Sequence, residues 1–234
     1  MRRIKPHLTY LLILISLQLN AQGWRHFLGP NHLPDSTVTT LGVAGDSLLI
    51  GTESGLVVRY NGTNTFITKQ DGLASNNIYA VAGSDDGQIL VIHGGKTTWI
   101  NSNGDYEVYN KGSAQGQVVY NPFDKNFYLN FSNKKVFKDG EFTSLGIGFR
   151  NLTLGPNNSV YAQKFNGTIY SLLDGAVVDT FKVKNNANLY ARSISGNKNR
   201  VVSLGLNGLH EINFDSGYID TCEIQSSLGS QEIL

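Results

Sequence analysis

The sequence predicts an all-β fold, a β-propeller of four-stranded antiparallel blades, from three observations. A unit of about 40 residues recurs: Asp71-Gly72-Leu73-Ala74-Ser75-Asn76-Asn77-Ile78 has a weaker copy in Asn31-His32-Leu33-Pro34-Asp35-Ser36-Thr37-Val38, with Leu33 to Leu73 and Val38 to Ile78 each 40 positions apart. Periods of this length mark solenoids, propellers and arrays. Glycines recur at Gly62, Gly104, Gly140, Gly175 and Gly217, at intervals of 42, 36, 35 and 42. A second series, Asp46, Asp86, Lys125, Asn158 and Asn199, stands just before apolar runs such as Ile89-Leu90-Val91-Ile92 and Val201-Val202-Ser203-Leu204. The two series keep step and divide the chain into about five units; four short strands per unit make a propeller blade.

The chain starts under different rules. Arg2, Arg3 and Lys5 precede a largely apolar stretch from Leu8 to Leu19 and then small Ala21, the pattern of a secretory signal peptide over residues 1–21, cleaved after Ala21. The apolar run is too short and wrongly flanked for a membrane span. Residues 22–234 are then one exported β-propeller domain, periplasmic or at the cell surface or secreted, with no membrane span of its own after the signal peptide. All-β folds of this length commonly remain undivided. Cys222, the single cysteine, can form no internal disulfide and reads as a small buried apolar residue, so the exported fold depends on packing.

Within the first unit the period shortens to two. Thr39 to Val43 reads as a first strand and Gly45-Asp46 as a turn, followed by Ser47 to Thr52 as a second strand and Glu53-Ser54-Gly55 as a turn. Leu56 to Tyr60 reads as a third strand, Asn61-Gly62 as a hairpin turn and Thr65 to Thr68 as a fourth strand. Glycine and Asn/Asp suit these corners because they accept positive φ at little steric cost.

Closure of a propeller hides strand edges that would otherwise invite aggregation. Trp24-Arg25-His26-Phe27 fits an outermost strand donated to the last blade, whereas Ser226 to Leu234 resembles an entry segment and the start of another first strand. The expectation is an incomplete ring, the N-terminal part of a larger propeller.

The segment Asp71 to Ile78, followed by Asp85-Asp86-Gly87-Gln88-Ile89-Leu90-Val91, resembles the two-component regulator propeller repeat, and Leu49-Ile50-Gly51-Thr52-Glu53-Ser54-Gly55-Leu56 is similar to its strand and following turn. The likeness is strong over about 80 residues and architectural beyond them. It implies an extracytoplasmic module like the Bacteroidota sensor domains of hybrid histidine kinases that detect glycans, or a secreted protein with the same repeats. The Asn20-Ala21-Gln22 ending also resembles Bacteroidota signal peptides.

Function reads less sharply. A net charge of +1 with 16% charged residues gives no electrostatic footprint for nucleic acid or acidic membranes. The histidines His7, His26, His32, His93 and His210 are scattered, with no pair at ligand spacing, so neither a metal nor a cofactor is expected. Asp85-Asp86 reads as a turn former, not as a catalytic pair. Candidate ligand-binding residues lie in the turns between second and third strands: Glu53, Ser54, His93, Asn133, Lys134, Lys164, Asn166 and Asn207, a polar set suited to a glycan or other small polar ligand. His93 there reads more simply as a solvated turn residue, and Trp99 as blade packing rather than a sugar platform. The sequons at Asn61, Asn130, Asn151, Asn157 and Asn166 read as turn chemistry.

The expectation is a non-enzymatic ligand-sensing or protein-docking module; alternatives are a secreted scaffold or adhesin of a Bacteroidota secretion pathway, and a propeller lyase or glycosidase. Export makes the first prediction: N-terminal sequencing of the mature protein from the extracytoplasmic fraction reads from Gln22, and an intact Met1 there contradicts the signal.

Overall fold

The computed structural model describes residues 33–113, 116–131, 135–183, 193–205 and 208–221. The expected signal peptide, the Trp24–Phe27 strand, Cys222 and the Ser226–Leu234 segment lie outside them.

Blade 1 comprises β1 (Val38–Ala44), β2 (Ser47–Thr52), β3 (Leu56–Tyr60) and β4 (Thr63–Ile67). Blade 2 follows with β5 (Ala80–Gly83), β6 (Ile89–Ile92), β7 (Thr97–Ile100) and β8 (Tyr106–Tyr109), and blade 3 with β9 (Val118–Asn121), β10 (Asn126–Leu129), β11 (Lys135–Lys138) and β12 (Glu141–Ser144). Blade 4 is β13 (Asn151–Leu154), β14 (Val160–Gln163), β15 (Ile169–Leu173) and β16 (Ala176–Val183); blade 5 is β17 (Ser193–Gly196), β18 (Val201–Gly205), β19 (Gly208–Asn213) and β20 (Tyr218–Thr221). Each blade is an antiparallel meander in chain order, so the propeller architecture expected from the repeat is the one observed. The inner strands β1, β5, β9, β13 and β17 adjoin in that order. In one departure from the simple plan, β16 outruns β15 and pairs its end in parallel with β20, Lys182 opposite Tyr218, joining blades 4 and 5 into an eight-stranded sheet.

The corner glycines behave as their spacing requires: Gly62, Gly104, Gly140, Gly175 and Gly217 all have positive φ, between 70° and 86°. In blades 1, 3 and 4 the preceding Asn61, Asp139 and Asp174 share it, giving the doubly positive two-residue turn whose twist matches paired strands. The second series is corrected in part. Lys125 and Asn158 take positive φ, but at the first two corners the strained residues are Gly45 and Gly87, not Asp46 and Asp86. Of the five sequons, Asn61, Asn157 and Asn166 do sit in turns, whereas Asn151 opens β13 and Asn130 is buried with its amide engaged.

Packing runs blade on blade. Alternate residues of a strand face opposite ways, so each blade has a leading face toward its predecessor and a trailing face toward its successor. Leu49, Leu56 and Ile67 on the trailing face of blade 1 meet Val81, Ile89, Val91 and Ile100 on the leading face of blade 2, with Leu73 and Ile78 of the entry segment wedged beside them. Ala80, Ala82, Leu90 and Ile92 of blade 2 meet Phe127, Leu129, Phe131 and Phe137 of blade 3. Tyr128 and Val136 of blade 3 meet Leu152, Val160, Ala162 and Leu172 of blade 4, whose Tyr161, Ile169 and Phe181 meet Ile194, Val201, Ile212 and Ile219 of blade 5. Trp99 belongs to the second interface, edge-on to Phe137 at 5.4 Å, which confirms its packing role. Close approach of inner strands leaves no room for a Cβ at Gly83, which faces Ala44, or at the equivalent Gly196, which faces the Leu154 carbonyl.

A polar tie reinforces the third interface. The buried Asp124 accepts hydrogen bonds from the Tyr128 hydroxyl at 2.5 Å and from the Asp174 N–H of the next blade at 2.8 Å, and the Gly175 N–H donates to the Tyr128 oxygen.

Phe137 is fully buried and touches the rings of Trp99, Tyr109, Phe127 and Phe142. Phe137→Ala therefore removes about 3–5 kcal/mol of stability, read from the urea midpoint; a loss under about 1 kcal/mol contradicts the blade-on-blade core.

Candidate functional site

Two regions invite a ligand: the face where chain enters each blade, and the central cavity. The entry face is built around polar residues at the ends of second strands. Thr52, His93, Asn130 and Gln163 occupy those positions in blades 1 to 4, and all four are buried. Their polarity is spent on stitching. The Thr52 hydroxyl closes its own turn, donating to the Gly55 carbonyl and accepting the Ser54 N–H, while the Thr52 backbone carbonyl accepts the Ile78 N–H and links blade 1 to the entry of blade 2. The Asn130 side chain accepts the Gln117 N–H and donates to the Arg150 carbonyl ahead of blade 4. The Gln163 amide donates to the Ser203 hydroxyl of blade 5.

His93 is the best-defined of these. Its Nδ1 lies 3.1 Å from the Asn77 carbonyl, which can only accept, so Nδ1 carries the proton. Burial pushes the imidazole below the usual histidine range, partly opposed by that carbonyl. In the neutral ring Nε2 then accepts from the Thr98 hydroxyl at 3.0 Å, and Thr98 Oγ1 accepts the Ala74 N–H at 2.9 Å. The entry segment is thus held at both ends by one histidine–threonine pair. Its start is fixed separately: the Thr68 hydroxyl accepts the Gln70 N–H while the Asp71 carboxylate accepts the Thr68 N–H, a reciprocal cap. That side-chain and backbone donation from Thr68 holds the Asp71 carboxyl below its usual range.

The expected solvated, ligand-facing His93 is accordingly corrected: it is 1% exposed with both ring nitrogens engaged. Ser54 is half-buried and donates to Asp35 at 3.0 Å, tying the turn to the first entry segment, whereas its neighbour Glu53 is exposed. The Asn166 side-chain Oδ1 accepts the Thr168 N–H within its own turn. Asn133, Lys134 and Asn207 lie outside the described residues. Among the described residues, no hydrogen bond or ion pair joins Glu53, Ser54, His93, Lys164 and Asn166 to one another.

What the structure does gather lies on blade 4. The Arg150 guanidinium sits 5.2 Å from the Phe165 ring centre, and Lys164 Nζ lies 5.3 Å from that of Tyr170. Arg150, Phe165 and Asn166 are exposed, and the Arg150 N–H donates to the Gln163 carbonyl, which brings entry segment and turn together. Only Lys164 and Asn166 of this group are candidates from sequence; an exposed phenylalanine between two polar turn residues is the legible signal for the rest. Two cations over aromatic faces can hold carboxylate or hydroxyl groups against a flat apolar ring.

The central cavity holds about 330 Å³, lined by Leu41, Val43, Val81, Val118, Tyr120 and Leu154, with Asp85 as its acidic group. Gly45, Asp85 and Pro122 in its wall belong to turns between first and second strands, so it lies toward the face opposite the entry segments. Its lining is mainly aliphatic. Burial and the charges of Asp85 and Asp86 raise the Tyr120 phenol, which stays protonated at neutral pH. Among the described residues no three His, Cys, Asp or Glu side chains come together to hold a metal ion, and no helix is long and apolar enough to cross a membrane.

No protein-family model and no curated protein matches the chain. Solved structures do. The chain is similar to virginiamycin B lyase from Staphylococcus aureus, with a TM-score of 0.61 at 17% identity over 82% of this chain and 71% of that one. It is similar to the extracellular domains of two proteins assigned to hybrid two-component systems of B. thetaiotaomicron, each with a TM-score of 0.55, at 16% and 17% identity over 75% and 87% of this chain. It spans only 27% and 30% of their length. The C-terminal WD40 domain of Sif2 also matches, with a TM-score of 0.58 at 18% identity over 78% of this chain and 56% of that one. These likenesses show the fold, a β-propeller.

The His93 pair carries a pH dependence. A folded-state pKa below the usual histidine value of 6.5 means the unfolded chain takes up a proton that the native chain refuses, so stability is whole above about pH 7 and falls toward about pH 5. Buried His210, shifted the same way by burial, adds to the fall. Urea midpoints across that range should decline, and His93→Gln should make the decline shallower; an unchanged slope contradicts a neutral buried His93.

Proposed function

We propose that this chain is an exported propeller module for ligand sensing or protein docking, of the kind that the two-component regulator propeller resemblance implies. The observation that carries this reading is the Arg150–Phe165 and Lys164–Tyr170 cluster on blade 4. Arg150 and Phe165 stand exposed there, and Lys164 and Tyr170 are half-buried beside them. Guanidinium and ammonium groups beside rings suit a glycan bearing carboxylates better than a neutral one, since charge-assisted bonds to carboxylate are the strong ones. The fold shared with extracellular domains of hybrid two-component systems supports an extracytoplasmic sensing role. No catalytic step is part of this reading. The lyase alternative has the shared fold of virginiamycin B lyase behind it and, among the described residues, no arrangement of groups that favours it.

The test is titration with a uronic-acid oligosaccharide and its neutral counterpart, followed calorimetrically. Binding of the acidic sugar should weaken at least tenfold, about 1.4 kcal/mol, in the Arg150→Ala/Lys164→Ala double variant. Equal affinity for both sugars, or no change in the variant, contradicts the reading.

A further inference from the structure

Equivalent positions of the repeat are buried in the middle blades and exposed at the two ends of the arc. Val81 and Ile89 on the leading face of blade 2 are 4% and 7% exposed because blade 1 covers them. Their register equivalents on blade 1, Leu41 and Leu48, are 63% and 39% exposed. The other end mirrors this. Ile92 on the trailing face of blade 2 is fully buried under blade 3, while its equivalent Leu204 on blade 5 is 47% exposed. Among the described residues no packing comparable to that of the four consecutive inner-strand pairs joins β17 to β1.

We propose that the leading face of blade 1 and the trailing face of blade 5 are blade-docking surfaces, occupied by further four-stranded blades of the same type carried in the same polypeptide beyond these 234 residues. Four arguments favour this occupant. Each of the four interfaces present joins a trailing face to the leading face of the next unit in one chain, and the two uncovered faces are one of each kind. Both expose aliphatic side chains, Leu41 and Leu48 at one end and Leu204 at the other, at positions that blade 2 buries, and apolar patches of this kind mark unfinished interfaces. A second copy of the arc fits poorly, because closing a ring from two five-bladed arcs requires each to span half a circle, whereas β1, β5, β9 and β13 already wrap one cavity of about 330 Å³. The solved propellers of this fold are also longer than the arc, which covers 71%, 56% and 27% of three of them.

The test is cysteine accessibility in the complete product of the native gene, in a Cys222→Ser background. Leu41→Cys and Leu204→Cys replace one apolar side chain by another and disturb folding little; Thr63→Cys, at an exposed corner, is the reference. Native labelling with a bulky maleimide should be at least tenfold slower at positions 41 and 204 than at 63. Labelling as fast as at 63 overturns the proposal, as does protection that vanishes on dilution, which would assign the faces to a second copy. The readout is independent of any ligand, so it stands apart from the sugar titration.

Discussion

A four-stranded sheet has two faces and can bury neither of them alone. That constraint organises this molecule. Strand registers are set within each blade, but the apolar residues they align, Leu49 and Leu56 or Phe127 and Phe137, leave water only when a neighbouring blade closes over them. Each interface buries side chains worth about 1.5–3 kcal/mol apiece. No disulfide is needed to hold such a stack together. The polar ties at Asp124, Asn130 and Gln163 then fix how neighbouring blades are turned, because a buried acceptor that loses its donor costs more than the bond contributed.

The same constraint explains why the entry face is less available to ligands than its polarity suggests. Backbone groups of the entry segments are orphaned where chain passes from one blade to the next, and buried orphans must be satisfied. Thr52, His93, Asn130 and Gln163 satisfy them. Among the described residues, polar chemistry remains exposed where a turn projects past this layer, as at Glu53, Asn166 and the Arg150–Phe165 pair on blade 4. A sensing role would use these projections and leave the stitching layer intact.

How much of this was legible follows from the range over which each feature is decided. Two-residue corners are local: only Gly tolerates the backbone at Gly62 or Gly140, so the series, and with it the blades, could be read directly, and β2 and β3 fall at the residues expected. The first-to-second-strand corners were half legible, because Gly45-Asp46 and Asp86-Gly87 each offer two residues fit for positive φ and the glycine takes it. His93 was not legible. A histidine in a turn looks solvated until the Asn77 carbonyl, 16 residues earlier, is brought to its ring. The Arg150–Phe165 cluster depends likewise on entry segment and turn meeting across 15 residues, and spacing gives no sign of that.

The central claim is that blades cover one another face to face and so stand or fall together. Amide hydrogen exchange followed residue by residue tests it most directly. Blades 2, 3 and 4 are each covered on both faces, so the amides of β6, β10 and β14 should exchange with one shared opening free energy. Separate free energies for the three strands, as from sheets that open independently, would contradict the account.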